Sequence, residues 1–262
     1  FSFTSVLTDD ALSGLVERCL ASGQEATPDE YVRYVNAAGA PSVLDILSDD
    51  IFDSNFPTIP TGEKIKKALR IEEAAMAHDG RVKRVRKASY GETLKNTRVV
   101  NSGGVDRSYC ATFYTAGVTA VAEDAGDSQM GFEVSTSHKF SSIVPEDVGV
   151  AAAKNAVRML GARKLQTIKC PAVFENSVVC EFIETLAGSF LADSVQKGRS
   201  MLAGRLGKSI ASNAVSIYDD GLMKGGWGTS IFDAEGVPRR TTALIEAGVC
   251  KNYLYDSYWA RR

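Results

Sequence analysis

The pattern of apolar and polar positions along the chain predicts helices and strands in blocks. Thr8 precedes Leu12, Leu15, Val16 and Cys19, which recur at helical spacing, and Asp9 and Asp10 fall in the first turn. A hydroxyl cap and early acids suit a helix start, where the first N–H groups lack acceptors and the dipole is positive. Residues 27–61, rich in Pro, Asp and Ser, read as loop with short helical pieces, broken at Pro57 and Pro60. A second helix is expected over 62–79, with Ile65, Leu69 and Met76 inward. Four strand patterns follow, at 82–88, 94–101, 109–123 and 131–137, separated by turn chemistry at 101–104 and 124–127. Residues 145–160 form another helical pattern, with Val148, Ala152 and Met159 on one side and Gly161 placed to end it.

After residue 163 the pattern changes. Residues 165–174 are strand-like, and 175 to about 195 carry an amphipathic stripe of Val179, Phe182, Ile183, Leu186 and Phe190. A short strand at 215–218 runs into Asp219 and Asp220, a glycine-rich loop follows, and 241–246 with 249–255 read as a hairpin around Ala247 and Gly248. Elements in blocks rather than strict alternation favour an α+β fold over a doubly wound sheet. The change of pattern places a boundary near 163–167, giving domains of 1–165 and 166–262.

Composition narrows the class. The 262 residues are 44% hydrophobic and 24% charged, which excludes a predominantly disordered chain. No apolar run approaches the roughly 18–20 residues of a membrane helix. Thirty basic residues against thirty-two acidic ones give a net charge of −2, which argues against a nucleic-acid partner. Five scattered cysteines, without a Cys-x-x-Cys, fit reduced thiols and a cytoplasmic location. The chain begins at Phe1, so the natural N-terminus is expected upstream.

Few residues offer chemistry. His78 and His138 are far apart in sequence, neither has a second ligand at zinc-motif spacing, and both read as structural. No Gly-x-Ser-x-Gly elbow marks a serine nucleophile. The run 81–87, Arg-Val-Lys-Arg-Val-Arg-Lys, is the best candidate for phosphate contacts but reads first as an exposed strand. Asp219, Asp220, Asp233 and Glu235 could gather round a hard cation, although acids in turns more often cap amides. Gly225, Gly226, Trp227 and Gly228 would let another backbone approach closely, but lack the helix and Lys-Ser or Lys-Thr of a phosphate loop.

The ordered series Lys197-Gly198-Arg199-Ser200, Gly204-Arg205-Leu206-Gly207, Gly225-Gly226-Trp227-Gly228-Thr229, Phe232-Asp233-Ala234-Glu235-Gly236-Val237-Pro238 and Leu244-Ile245-Glu246-Ala247-Gly248 resembles the PmbA/TldD family, known as modulators of DNA gyrase and related to metalloproteases. The N-terminal part is similar as well, through Asn101-Ser102-Gly103-Gly104 after the basic strand. The resemblance implies a two-domain fold, an α/β part with an antiparallel sheet followed by a mixed, β-rich domain, and a family chain longer at both ends. One branch carries His-Glu-x-x-x-His, whose histidines hold zinc while the glutamate serves as general base. The matching window here is Ile183-Glu184-Thr185-Leu186-Ala187-Gly188. Glu184 keeps the glutamate position, whereas Ile183 and Gly188 replace the two ligands, and Ile183 is expected in the core. The third family ligand, a cysteine, would fall beyond Arg262.

The resemblance therefore points to the PmbA branch, also called TldE. It implies no catalytic residue and no metal in this chain, with zinc in a TldD-like partner. The implied role is a subunit that helps form a peptide-processing chamber, acting on peptides or unfolded protein. Gly225, Gly226, Trp227, Gly228, Asp233, Glu235 and Gly236 are the candidates for lining that chamber. Self-association as a homodimer is the alternative assembly. Two other functions remain open at this point: a self-sufficient metal hydrolase built on the acidic group, and a gyrase- or nucleic-acid-associated modulator acting through 81–87.

Overall fold

The computed structural model describes residues 1–36 and 44–262. Their contacts form a small unit, Phe1–Arg33 with Tyr255–Arg262, and a large one, Tyr34–Leu254. In the small unit, helix α1 (Asp9–Gln24) begins where the sequence predicts, with the Thr8 hydroxyl accepting from the Ala11 N–H. Its apolar stripe is not buried. Tyr258 donates to the Asp29 carboxylate (2.8 Å), and Arg261 donates to the Arg33 carbonyl (3.0 Å).

The large unit opens with α2 (Leu44–Ile51), a 3-10 turn at Phe56–Thr58 and α3 (Thr61–His78). The expected loop region thus holds short helical pieces, with 37–43 lying outside the described residues. An antiparallel sheet follows, in the order β1 (Val82–Val100), β2 (Asp106–Asp124), β3 (Asp127–Ser137). The patterns at 82–88 and 94–101 are one strand rather than two. Pairing runs unbroken from Ala88 opposite Val118 to Val100 opposite Asp106. Gly91 sits opposite Thr115, and the ladder to β2 carries β1 across this weak strand former.

Helices α3 and α4 (Pro145–Arg158) cover one face of the sheet. The core between them contains Ile71 and Ala75 of α3, Tyr114, Val118 and Ala120 of β2, and Val148 and Ala152 of α4. Close packing rests on two glycines. A Cβ on Gly131 would lie 2.1 Å from the Ala152 carbonyl oxygen, and one on Gly149 would lie 2.4 Å from that of Ile71. Gly161, at φ +71°, follows the end of α4 as expected.

The inward face of α3 differs from expectation. Ile65, Leu69 and Met76 are exposed, at 55%, 52% and 39%. The buried stripe is Ile71 and Ala75, extended by half-buried Lys67, Ala68 and Ala74. Alanines let α3 approach Gly149, while Lys67 lays its stem on the core and ends over the Phe140 ring, donating to the Ile143 carbonyl. Met159 is likewise exposed, because it caps α4 rather than continuing its stripe.

Beyond α4, residues 165–174 form no strand and are exposed; no neighbouring strand pairs with them. The long helix expected over 175–195 is α5 (Asn176–Ala187), a 3-10 turn at Gly188–Phe190, and α6 (Ala192–Gln196). Strands β4 (Ile217–Asp220), β5 (Thr241–Glu246) and β6 (Val249–Cys250) make a second antiparallel sheet. A small core of Phe190, Leu202, Leu244, Ile245, Cys250 and Tyr253 holds this region. The architecture is α+β, as the pattern of elements indicates.

Candidate functional site

Helix α5 presents the window that carries the family resemblance. Ile183 is 39% exposed and not in the core, and no residue of α5 is buried. The later part of its stripe instead lines one wall of an apolar cleft of about 420 Å³. Ile183, Leu186 and Phe190 form that wall, facing Met201, Val215, Leu244 and Leu254, with Tyr218 and Asp219 also on the lining. Glu184 is exposed beside it, and Gly188 opens the 3-10 turn. Ile183 and Gly188 offer no donor atom, so these residues do not fit a His-Glu-x-x-x-His zinc site.

The acidic group does not form a centre either. Among the described residues no three His, Cys, Asp or Glu side chains converge as a metal site. Asp220 Oδ1 accepts from the Leu222 N–H (3.1 Å) and from Thr241 Oγ1 (2.8 Å). Asp233 Oδ1 accepts from the N–H groups of Glu235 and Val237, both at 2.9 Å, and so shapes its own turn. Acids in turns serving as backbone acceptors account for these contacts.

The basic run lies at the start of β1 and is partly neutralised. Arg81 forks onto Asp79 through two hydrogen bonds, and Arg84 pairs with Glu123 at 2.7 Å. The Asp79 carboxyl is held far below the usual carboxylate range, chiefly by those Arg81 bonds.

The glycine-rich loop is tied to the first sheet at two places. Gly225 has φ +65°, a left-handed conformation that side chains disfavour. The Gly226 carbonyl meets Nε2 of His138 at 3.0 Å. Trp227 packs edge-on against Phe113 (ring centroids 5.0 Å apart) and lies nearly parallel to the His138 ring (5.8 Å, 27°). Further on, Gly236 takes φ +80°, and its carbonyl accepts from Arg107 of β2 (2.8 Å). A Cβ at Gly236 would lie 2.6 Å from Val105. Of the candidate lining residues, Gly225, Gly226, Trp227, Gly228 and Gly236 therefore belong to turns seated against β2 and its neighbours. Asp233 shapes the last of these turns, accepting the Glu235 N–H.

Sequence reasoning passed over the groups under this loop. His138 is buried, and its Nδ1 lies 2.7 Å from the Thr112 carbonyl oxygen. Thr112 Oγ1 donates to the His138 carbonyl and accepts the Asp53 N–H, both at 2.8 Å. The Asp53 carboxylate accepts the N–H groups of Phe140 and Asn55, each at 3.0 Å. Burial pushes the Asp53 carboxyl up, but those N–H donors outweigh it and leave it below the usual range. The one available signal was that the chain has only two histidines, one of them in a polar segment after a strand.

Comparisons with known proteins place this geometry. The sequence matches the PmbA/TldA metallopeptidase central domain over residues 54–160 and the PmbA/TldA metallopeptidase C-terminal domain over 167–262. A metalloprotease PmbA homolog from Buchnera aphidicola is 29% identical over 242 residues, covering 90% of this chain and 52% of that protein. A Thermotoga maritima crystal structure, named for modulation of a DNA gyrase, superposes with a TM-score of 0.86 at 25% identity, over 98% of this chain and 57% of the other. The structure of TldE from Thermococcus kodakarensis gives a TM-score of 0.80 at 19% identity, over 99% and 58%, and bears on the fold alone. The chain spans about half the length of the curated relatives it matches. With both of its long segments matched in order, the chain belongs to the PmbA/TldD metallopeptidase family.

Proposed function

We propose that this chain is part of a TldE-like subunit of a two-component peptidase, one that shapes a peptide chamber while a TldD-like partner supplies the zinc. The observation that carries this reading is the donor set on α5. The window that holds metal through two histidines in the other branch here carries Ile183 on α5, where it lines an apolar cleft, and Gly188 in the turn that follows. Such a cleft binds apolar side chains of an extended polypeptide by excluding water from them. Gly225 and Gly228, where an added Cβ would meet nothing within 4 Å, give a peptide backbone room to lie close, whereas Gly226 and Gly236 are filled from within the fold. The division into domains 1–165 and 166–262, a cytoplasmic location and an unfolded or peptidic substrate all belong to this reading.

The acidic-cluster hydrolase has no support from the geometry, because among the described residues no three such side chains converge and the Asp220 and Asp233 carboxylates are spent on turns. The nucleic-acid reading rests only on a strand whose Arg81 and Arg84 already have acidic partners.

The test uses the full-length protein that contains this chain. Zinc content and hydrolysis of a denatured protein substrate are measured for it alone and after mixing with a relative bearing His-Glu-x-x-x-His. The expected result is no hydrolysis by the chain alone and activity on mixing. Peptide hydrolysis by the purified chain alone, with stoichiometric zinc, overturns the proposal.

A further inference from the structure

The imidazole of His138 is 2% exposed and faces two backbone carbonyls, Thr112 on Nδ1 at 2.7 Å and Gly226 on Nε2 at 3.0 Å. A backbone carbonyl oxygen only accepts. A neutral imidazole carries one N–H and one lone pair, so it satisfies one of the two and turns a lone pair toward the other. Only the doubly protonated ring donates to both. Its flanks suit a cation, because Trp227 stacks on one side and Phe113 approaches at 4.9 Å, and aromatic faces attract positive charge.

The ionisable groups on the surrounding elements are few. Residues 221–228 of the loop carry Lys224 alone. Beside His138 stands Lys139, whose ammonium donates to the Phe52 carbonyl. The segment after α2 brings Asp53, whose backbone N–H donates to Thr112 Oγ1 while its carboxylate accepts from the N–H groups of Phe140 and Asn55. On β2 the neighbours in contact are Thr112 and Phe113, which do not titrate in this range, with the Tyr114 hydroxyl and the Cys110 thiol on the same strand, both pushed up first by burial.

We propose that His138 is a positioning residue: as an imidazolium it latches the loop carrying Gly226 and Trp227 onto β2, and loss of one proton releases that loop. The two contacts are unequal. The Thr112 bond is shorter and is braced by the return bond from Thr112 Oγ1 to the His138 carbonyl, so the neutral ring keeps Nδ1–H and gives up Gly226. The switch therefore acts on the loop side, with the latched state favoured at lower pH. The latch stands on geometry alone; its consequence for peptide handling rests on the proposed chamber.

The test begins on the full-length protein that contains this chain. Nitrogen NMR of the histidine rings is recorded across the range in which histidines titrate, roughly pH 5 to 8, with the His138 signals assigned as those lost in H138Q. Trp227 fluorescence is followed in parallel as the difference between the protein and its W227F variant. The expected result is both His138 nitrogens protonated at the acid end, a change to a single Nδ1–H as pH rises, and a Trp227 signal that moves on the same curve. In H138Q, that curve is lost. A ring that keeps a lone pair at the acid end, a ring that does not change across the range, or a Trp227 signal that ignores the ring overturns the latch. Neither readout uses activity, so failure of the peptidase reading leaves the latch testable. Conversely, H138Q that loses the titration but leaves partner-dependent cleavage unchanged keeps the latch and removes the loop from the peptide chamber.

Discussion

The layer of α3, α4 and the first sheet, compared with the region from 176 to 254, shows two ways of holding a chain. In the first, long strands and two helices bury a continuous apolar core, and Gly131 and Gly149 bring backbone against backbone. In the second, the core is a handful of residues, strands are short, and turns do much of the work. Six of the nine positive-φ glycines among the described residues lie there: Gly198, Gly204, Gly207, Gly225, Gly236 and Gly248. A turn-built region can leave apolar side chains of α5 facing a cleft, which a layer packed on its sheet cannot. Scaffold and candidate site are thereby separated along the chain.

The largest effect should come from forcing a side chain into the close-packed layer. Gly131→Val places carbon against the Ala152 carbonyl and the Ala156 nitrogen of α4, where no flexible side chain can yield. Overpacking normally costs roughly 1–3 kcal/mol, and this case should exceed that range or prevent folding. Gly198→Ala is the counterpart: nothing lies within 4 Å of the added carbon, and only its φ of +67° resists, at about 1 kcal/mol. Denaturant unfolding of both variants compares them, and equal losses would erase the contrast between packed layer and turns.

The second prediction sharpens the contrast inside the later region. Phe190→Ala removes a ring that is 5% exposed in the small core and should cost about 3 kcal/mol. Phe182→Ala removes one that is 50% exposed on the cleft-lining helix and should stay within about 0.5 kcal/mol. Thermal unfolding reads both. A large loss for Phe182→Ala would mean that α5 is held by its stripe and is no open wall.

These two regions were also unequally legible in the sequence. The starts of α1 and α4, the turns at 101–104 and 124–127 and the turn at Ala247 and Gly248 follow from local chemistry, and the sequence pattern shows them; the second hairpin strand, expected over 249–255, is only Val249–Cys250. The inward face of α3 does not, because Ile65 and Leu69 look like core while Lys67 supplies part of the real contact through its stem. The pattern at 165–174 looks like a strand because alternation is local, whereas a ladder needs a partner elsewhere. In the candidate site only residue type was legible: the side chains of Ile183 and Gly188 offer no metal ligand, but the cleft that Ile183 lines, in place of the core expected for it, was not. The tie between His138 and Gly226 spans 88 residues and depends on which way two carbonyls point, so no spacing rule reveals it.

A third experiment tests the polar join beneath the loop, where the layer and the later region meet. Asp53 is ionised in the fold at a lower pH than in the unfolded chain, because N–H donors outweigh the effect of burial. A depressed folded value gives stability that is fully present above the unfolded value, near 3.9, and is lost as pH falls through the folded one. Wild-type stability should therefore drop more steeply between about pH 4 and pH 2 than that of Asp53→Asn. At neutral pH the variant should lose roughly 1–3 kcal/mol through its disturbed acceptors. Parallel acid slopes would mean that this carboxylate does not brace the join.

The smallest effect belongs to the basic strand. Arg84 and Glu123 pair at 2.7 Å on the surface of β1 and β2, each well exposed. Such pairs contribute little, because water screens them and two long side chains must be ordered; Arg84→Ala should change stability by less than about 0.5 kcal/mol. The same variant separates scaffold from phosphate contact. Each cation that neutralises a phosphate adds close to one unit to the slope of log affinity against log salt. If β1 belongs only to the scaffold, combined replacement of Arg84, Arg86 and Lys87 by Ala leaves DNA retention at low salt, and its salt dependence, unchanged. A slope reduced by about three would make the packed layer a binding surface in its own right and end the separation of scaffold from site.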